Sequence, residues 1–462
     1  MPETVPLQEQ YQHTAVELES PARPERLVWA VLVIFCCVSL LLCGSISYYM
    51  YRYLFESSTP LEAELQVARG TIGITSPISQ EESAERVGRE INSVTTLSTD
   101  EQSLGILSIL DEDGTLFASI TIRPETNVTH LRSTRPRFSM GGNDLSIELG
   151  DLQGRLDIMI IEQFDYEVQV RVRGPEETVA TLRLPGRYQV EVNDAGLVLT
   201  NHSALFAQWQ SAELSRLIPR GYQVSLSAEN ENQVTVERSY ANLINDPTFE
   251  RYFDFLAENA VENARWSCIN FNDLDNDTPG HFRSASKDGL ETMRFVRLGE
   301  IKGHGETRCF YQFLSELGEF GLFVSEYEYV GIQSTFMIQG QSLGRCGFRG
   351  SECPIMLRID YVDSEGNDRR WFQGFYIPHP EDNEQSYPLR CSNCPSLHER
   401  VSAEIWYQYD SGNLFTILPE NARPAELINL QAYASGHQYD VFLAEISLQV
   451  RMQQETENAG AS

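Results

Sequence analysis

The stretch YEVQVRVR, residues 166–173, alternates apolar and polar side chains without interruption. Successive side chains on a β-strand point to opposite faces, so this pattern predicts a strand that is buried on one face. RLDI at 155–158 and YQVEV at 188–192 show the same alternation. These segments predict that the fold of this part of the chain is mainly β.

Turn-forming residues separate these strands. Asp113-Gly114, Gly141-Gly142-Asn143, Gly150-Asp151, Pro185-Gly186 and Asp194-Ala195-Gly196 are all typical of tight turns. Strands broken at such short intervals predict an all-β domain over residues 61–237, built as a sandwich, a barrel or a short solenoid.

One helix is expected within this β region. Over Ala204–Leu217 the apolar residues Leu205, Phe206, Trp209 and Leu217 lie near helical spacing, and Pro219 follows.

Several segments in a fixed order resemble the FecR-type domain over about residues 61–200. They are SVTT (93–96), LGILSIL (104–110), DGTL (113–116), IRPET (122–126), LSIELG (145–150) with LQG (152–154), and ATLRLPGRYQV (180–190). That family forms the external, all-β part of membrane-tethered regulators. Its sensing members carry a large internal domain that restrains a sigma factor, and the 26 residues before the apolar segment are too few for one.

A second alternating region extends over residues 242–450. Apolar and polar residues alternate at 293–298, 356–362, 403–409 and 441–448, and DSEGND at 363–368 is typical of a hairpin tip. About two hundred residues of this kind predict one large antiparallel sandwich.

The order of its motifs resembles galactose-binding-like jelly rolls, the fold of many carbohydrate-binding modules. The resemblance depends on an opening NLIN (242–245) with Phe249 and Trp266, on the strand from Gly289 through Phe295 to Gly299, on CFYQ (309–312), and on the closing EISL (445–448). It implies a C-terminal jelly-roll β-sandwich that binds a glycan.

Residues 27–50, LVWAVLVIFCCVSLLLCGSISYYM, carry no charge. As a helix they extend about 36 Å, enough to cross a hydrocarbon core of about 30 Å. Trp29 at one end and Tyr48, Tyr49, Tyr51 and Tyr53 at the other match interfacial aromatic belts. We therefore predict a single transmembrane helix that binds the lipid bilayer; a cleaved signal peptide is the alternative.

The position of this helix in the chain defines the segments before and after it. Residues 1–26 are polar and non-periodic, which predicts a disordered cytoplasmic tail. We predict a linker at residues 51–60 and a disordered tail at residues 451–462. Arg23 and Arg26 precede the helix and Arg52 follows it, which favours a cytoplasmic N-terminus and an extracytoplasmic bulk at the cell membrane.

The cysteines support an external location. Three lie in the apolar helix, and the other six all lie in the last two hundred residues, as expected for disulfides in an oxidising compartment. Close spacing favours Cys346–Cys353 and Cys391–Cys394, which leaves Cys268–Cys309. Zinc ligation by the four cysteines at 346, 353, 391 and 394 is the alternative.

The charge balance excludes one class of partner. With 66 acidic and 35 basic residues the chain has a net charge of -31, the wrong sign for binding phosphate backbones. We therefore expect no nucleic acid partner.

Two groups of side chains are candidate ligand sites. Asp273, Asp275 and Asp277 alternate along a loop and are candidate ligands of a structural calcium ion, the one cofactor considered; a solvated acidic loop is the alternative. Trp266, Trp371, Tyr376 and Trp406 are candidate sugar-stacking residues, and burial in the core is their alternative.

The chain shows no G-x-S-x-G, H-E-x-x-H, P-loop or Rossmann motif, so we expect no enzyme. The sequence predicts a single-pass envelope protein that displays its β modules for binding, adhesion or surface scaffolding, with a glycan or an envelope protein as partner. The alternatives are a membrane regulator that transmits an external signal inward and an external glycan hydrolase.

Overall fold

The computed structural model describes residues 24–77, 82–138, 140, 142–163, 166–193, 196–227, 230–260, 264–274, 277–299, 301–315, 318, 320–378 and 387–452. The predicted disordered tails lie almost entirely outside these residues. Elsewhere the fold is mainly β with one long N-terminal helix, which confirms the predicted fold class.

The N-terminal helix α1 (Pro24–Tyr51) continues into a π-helical turn at Arg52–Glu56. Its apolar part, Leu27–Glu56, has a mean hydropathy of 2.8 and is long enough to span a membrane. Signal sequences share these properties, so the helix is a membrane anchor or a signal sequence. Helical turns extend to Glu56 and a short strand covers Ser58–Pro60, so nine of the ten residues predicted as a linker at 51–60 are regular structure.

The described residues form two compact units. The first contains the residues through Ser58 together with Pro136–Gly142. Within it the rings of Tyr53 and Phe138 lie 5.4 Å apart, and the Arg137 guanidinium lies over the Tyr53 ring at 5.9 Å. The second unit contains Thr59–Arg135 and Asn143 onward, and thus both predicted β regions.

The first β region contains eighteen strands. They are β1 (Ser58–Pro60), β2 (Glu62–Arg69), β3 (Ile72–Thr75), β4 (Glu82–Glu85), β5 (Gly88–Glu90), β6 (Thr95–Thr99), β7 (Leu104–Leu110), β8 (Leu116–Ile122), β9 (Asn127–Pro136), β10 (Asp144–Ile160), β11 (Glu167–Arg173), β12 (Val179–Leu182), β13 (Gly186–Asn193), β14 (Gly196–Asn201), β15 (Phe206–Gln210), β16 (Ser215–Pro219), β17 (Tyr222–Ser227) and β18 (Asn230–Arg238).

These strands pair into two sheets that share the long strand β10. Sheet I has the order β4-β3-β6-β9-β10-β11-β12-β15-β16. Sheet II has the order β5-β2-β7-β8-β10-β13-β14-β17-β18. An apolar core that includes Leu97, Ile147, Val170 and Leu199 lies between them, as the alternation in β11 predicts.

The predicted helix at 204–217 is wrong. This segment forms the antiparallel hairpin of β15 and β16, in which Ala207 and Trp209 point inward while Phe206 and Gln210 are exposed. The Trp209 indole N–H donates to the carbonyl of Leu197 at 3.1 Å. Leu205 and Leu217 are apolar but exposed, so the sequence here does not show the alternation of apolar and polar residues that is typical of a strand.

The second β region contains the remaining elements. They are β19 (Ala241–Asn242), α2 (Glu250–Ala257), β20 (Trp266–Asn272), β21 (His281–Lys287), β22 (Leu290–Arg297), β23 (Gly305–Gln312), β24 (Leu322–Phe323), β25 (Tyr327–Gln341), β26 (Ile355–Asp363), β27 (Asp368–Tyr376), β28 (Glu399–Arg400), β29 (Tyr407–Asp410), α3 (Leu414–Ile417), a 3₁₀ turn at Glu420–Ala422, β30 (Pro424–Gly436) and β31 (Tyr439–Met452).

They form a β-sandwich. Sheet III has the order β21-β22-β31-β25-β29, with β19 beside β31. Sheet IV has the order β20-β23-β30-β26-β27-β28, with β24 beside β30. Trp266, Phe295, Phe336 and Trp371 lie in the core between the two sheets. Strand pairing therefore changes partners near residues 238–241, although the predicted boundary between 61–237 and 242–450 stays a prediction.

Sheets II and III pack against each other through their outer faces. Leu116 and Met159 of the first region contact Met337, Trp406 and Phe442 of the second in one apolar cluster. The order of layers is thus I, II, III, IV, and no sheet formed by the described residues covers the outer face of sheet IV.

Beside this cluster, buried charges connect sheets II and III; we call this group the junction network. Arg155 pairs with Asp157 at 2.9 Å and with Asp410 at 2.8 Å. Arg123 also pairs with Asp157 and donates to the carbonyl of Gln408 at 3.1 Å. Arg187 pairs with Glu445, so that three guanidinium groups face three carboxylates.

Replacing Arg155 tests the network. Arg155→Met leaves Asp157 and Asp410 with one guanidinium between them, and we expect the free energy of unfolding to fall by about 3 kcal/mol because a buried carboxylate loses its partner. Chemical denaturation of the full chain in detergent measures the change. Arg216→Met, on the exposed side of β16, is the matched control and should change stability by less than about 0.5 kcal/mol. Equal effects of the two variants would contradict this account.

His202 gives the junction a pH dependence. Burial, reinforced by Arg187, lowers the pKa of His202 to about 4. The unfolded chain binds this proton near pH 6.5 and the folded chain does not, so stability should fall as the pH drops from about 6.5 to 4, by at most about 3 kcal/mol. His130 and His398, whose pKa values burial also lowers, add to the same slope. His202→Gln should flatten the dependence of the denaturation midpoint on pH; an unchanged slope would refute the assignment.

Candidate functional site

The outer face of sheet IV carries alternate residues of its central strands. In β23, Cys309 and Tyr311 are buried, so Arg308, Phe310 and Gln312 point outward. The same alternation in the neighbouring strands defines what we call the polar face. Its residues are Glu306, Arg308, Phe310, Gln312, Arg358, Asp360, Arg370, Phe372, Asn429, Gln431 and Tyr433.

Strand register arranges these side chains in rows that cross the sheet. Gln312, Asn429, Asp360 and Arg370 occupy one row.

Phe310, Gln431, Arg358 and Phe372 occupy the next row. Adjacent strands lie about 4.8 Å apart, so each row of four side chains extends about 14 Å.

The charges on the polar face are paired with one another. Arg358 binds Asp360 through two hydrogen bonds of 2.7 and 2.9 Å, and Arg308 pairs with Glu306. Arg370 lies 3.6 Å from Asp360. The face is therefore polar with nearly balanced charge.

Gln431 lies at the centre of this arrangement. Its Nε2 group donates to Asp360 at 2.9 Å and to Asn429 at 2.7 Å. Its Oε1 atom is buried and has no hydrogen-bond partner in the described part of the chain. Buried polar atoms are generally satisfied by protein, water or a ligand, so a hydroxyl group that reached this acceptor would complete its hydrogen bonding.

Flat apolar groups alternate with these polar ones. The Arg358 guanidinium lies over the Phe372 ring at 5.4 Å, and the Arg308 guanidinium lies over the Tyr433 ring at 5.3 Å. At the edge of the sheet, Ile269 is 51% exposed and Phe271 is 56% exposed. Apolar surfaces interrupted by a few fixed donors and acceptors are what a polyhydroxylated ring requires for binding.

Two disulfide-closed loops border one end of the polar face. The disulfides Cys346–Cys353 and Cys391–Cys394 form a small cluster with Met356, which lies opposite Tyr433 on the sheet. Cys268–Cys309 joins directly paired positions of β20 and β23. The structure thus contains the three predicted pairs. Each of the six cysteines is bonded to one partner cysteine, so in this structure the four cysteines at 346, 353, 391 and 394 are not free to act as zinc ligands.

His398 connects the Cys346–Cys353 loop to strand β27. Its Nε2 atom lies 2.6 Å from the carbonyl of Gly350, and its Nδ1 atom accepts from the amide of Gly374 at 3.1 Å. Burial lowers the pKa of His398, so the ring stays neutral and its two nitrogens keep these distinct roles. Gly374 has no side chain to obstruct this contact, since a Cβ there would lie 2.4 Å from the sulfur of Cys353.

The predicted sugar-stacking residues are corrected by the structure. Trp266, Trp371 and Trp406 are 1% exposed and Tyr376 is 7% exposed, so none offers an open ring face to a sugar. Trp266 donates to the carbonyl of Asp246 at 2.8 Å and Trp406 to the carboxylate of Asp288 at 3.0 Å. Aromatic residues at alternate strand positions filled the core and the junction instead.

The predicted calcium loop is described only in part. Asp275 lies outside the described residues. The Asp277 carboxylate accepts from the amides of Gly303 at 2.6 Å and Lys302 at 3.2 Å, and these bonds, with Arg297 nearby, lower its pKa. Asp273 lies 3.7 Å from His304. Because Asp277 is already surrounded by donors, the described geometry offers it little capacity for a cation, and calcium binding stays a prediction.

Sequence reasoning missed the residues of the polar face, although the signal was present. Trp371 points inward, so Phe372 must point outward, and the same rule applies to Tyr311 and Phe310. Segments 309–312 and 356–362 were correctly predicted as strands, whereas β30 was not predicted. For the predicted strands, the alternation left open which of the two faces is covered, and that depends on how the sheets pack.

No family model and no curated relative matches the sequence. Among solved structures, one described as an anti-sigma factor from Parabacteroides distasonis is 10% identical, with 37% of this chain and 76% of that chain covered and a TM-score of 0.23. The family 11 carbohydrate-binding module of a Clostridium thermocellum cellulase is 9% identical, with 46% and 95% covered and a TM-score of 0.24. A xylan-binding domain from Paenibacillus barcinonensis is 10% identical, with 41% and 88% covered and a TM-score of 0.20. Sequence identities of 9–10% and TM-scores of 0.20–0.24 assign neither a family nor a function to this chain.

Removing one loop disulfide tests its contribution. Cys346→Ala/Cys353→Ala should lower the free energy of unfolding by about 2–3 kcal/mol, because the bond closes a loop in the unfolded chain. The Cys391–Cys394 bond closes a shorter loop, so Cys391→Ala/Cys394→Ala should have the smaller effect. Denaturant midpoints of both double variants, with and without a reductant, measure the difference. Reductant-insensitive stability of the unmodified protein would show that these thiols are not paired.

Proposed function

We propose that the protein is a membrane-anchored glycan-binding protein whose β sheets lie outside the cytoplasm, with the polar face as the binding surface. In this proposal the first β region is a FecR-type domain and the second is a galactose-binding-like jelly roll. Binding is the whole activity, and no bond in the glycan is broken.

The location rests on two independent features. The apolar helix is long enough to serve as an anchor, and Arg23 and Arg26 before it favour a cytoplasmic N-terminus. The three disulfides are all C-terminal to the helix and are stable in oxidising compartments. Both features support the same orientation.

The single observation that carries the binding proposal is the row of Phe310, Gln431, Arg358 and Phe372. Two ring faces flank a guanidinium and a buried amide with an unused acceptor, all on rigid central strands. Because the charges of the face are paired internally, it suits a neutral glycan better than an acidic one.

Removing Arg358 and Phe372, one half of this row, should weaken glycan binding. The full chain in detergent is run through native gels that contain a neutral polysaccharide, with β-glucan, xylan and galactan tested separately. We expect at least one of them to retard the protein, and Arg358→Ala/Phe372→Ala to weaken that retention about tenfold or more, since both the stacking surface and the donor are lost.

Phe206→Ala/Arg216→Ala is the matched control, because it removes the same two residue types from exposed positions of sheet I. Thermal unfolding checks that both double variants stay folded. Retention by none of the three polysaccharides, or equal loss in the control, would overturn the proposal.

A further inference from the structure

A cleft of about 1000 Å³ opens beside the junction network, away from the polar face. The end of β2 with Arg86 and Val87 forms one wall. Trp371, Tyr376, Tyr407 and Tyr409 are among the residues of the other wall. All of these belong to the same compact unit, and the volume lies at the upper end of the range of small-ligand sites.

Three exposed arginines line this cleft: Arg69, Arg86 and Arg400. Arg69 donates to the carbonyl of Gln102 at 2.6 Å. Across the described ranges, no carboxylate forms an ion pair with any of the three. In a chain with nearly twice as many acidic as basic residues, a cleft with three unpaired guanidinium groups is unusual.

The acidic groups of the cleft do not neutralise these arginines. Glu399 accepts a hydrogen bond of 2.7 Å from the Tyr407 hydroxyl, and Asp410 is paired with Arg155 in the junction network. His398 is bound to two backbone groups and is neutral. The free charge of the cleft is therefore positive, in contrast to the paired charges of the polar face.

The wall formed by Trp371, Tyr376, Tyr407 and Tyr409 is closed. These residues are each at most 7% exposed, so they form a floor of aromatic edges and present no open ring face. The Nε1 group of Trp371 is buried and finds no acceptor among the residues described. An oxygen atom from a bound molecule that reached it would complete its hydrogen bonding.

We propose that this cleft is a second binding site, separate from the polar face, and that it takes an acidic saccharide whose carboxylate is held by Arg69, Arg86 and Arg400. Guanidinium groups bind carboxylates with two parallel hydrogen bonds, which gives direction as well as charge. The cleft above the aromatic floor is large enough to hold the rest of the saccharide. The site requires both β regions, because Arg69 and Arg86 come from one and Arg400 from the other.

Calorimetric titration of the full chain in detergent tests this proposal, with trigalacturonate as the acidic probe and galactotriose as its neutral counterpart. We expect trigalacturonate to bind and galactotriose to bind at least about tenfold more weakly at this site. Arg69→Gln/Arg86→Gln/Arg400→Gln should weaken trigalacturonate binding about tenfold or more.

Two controls separate this site from other causes. Arg183→Gln/Arg216→Gln/Arg220→Gln removes three exposed arginines outside the cleft with the same change in net charge, and should leave binding unchanged. Arg358→Ala/Phe372→Ala, on the polar face, should also leave it unchanged, so failure of the proposed function and failure of this inference are distinguishable.

Three results would overturn the inference. They are equal binding of both trisaccharides by the Arg358→Ala/Phe372→Ala variant, in which the polar face is disabled, equal loss in the two triple variants, and displacement of trigalacturonate by inorganic sulfate at the same concentration of charge. The last result would show that the cleft recognises an anion and not a saccharide.

Discussion

The ion pair between Arg155 and Asp410 joins side chains 255 positions apart in the sequence and determines how the two β regions pack. Burying charges is costly, so such networks add little net stability compared with apolar packing. Any arrangement that separates the partners, however, leaves a carboxylate without a counter-charge in a dry environment. The two pairs that cross the junction, Arg155–Asp410 and Arg187–Glu445, therefore favour a single packing of sheet II on sheet III over the many that an apolar surface alone would allow.

This packing decides which surfaces remain available. The outer face of sheet III is occupied by the apolar cluster around Trp406 and Phe442, and only sheet IV keeps an open outer face in its part of the chain. The same contact brings the end of β2 next to β27, β28 and β29 and so creates the cleft. Both candidate sites are consequences of one junction.

The two sites differ in how their charges are satisfied. On the polar face each arginine contacts a carboxylate from its own strand or the neighbouring one, as Arg358 does with Asp360. In the cleft Arg69 donates to a backbone carbonyl, and neither Arg69 nor Arg400 forms an ion pair within the ranges that the structure describes. The proposed division between a neutral and an acidic saccharide follows from this difference.

Local signals in the sequence were sufficient for several of the strands, the apolar helix and the disulfide pairs. Alternation in YEVQVRVR gave the correct buried face of β11, and the spacing of Cys346 and Cys353 was enough to pair them. The hairpin of β15 and β16 was missed because apolar residues occupy exposed positions there. The junction network and the cleft were out of reach, since each joins residues more than two hundred positions apart, and no local pattern records which sheets will face each other.

Differential scanning calorimetry of the full chain at neutral pH tests most directly whether the junction makes one body of the two β regions. Our account predicts a single transition whose calorimetric enthalpy equals its van't Hoff enthalpy, because sheets II and III unfold together. Two resolved transitions, one from each β region, would contradict it.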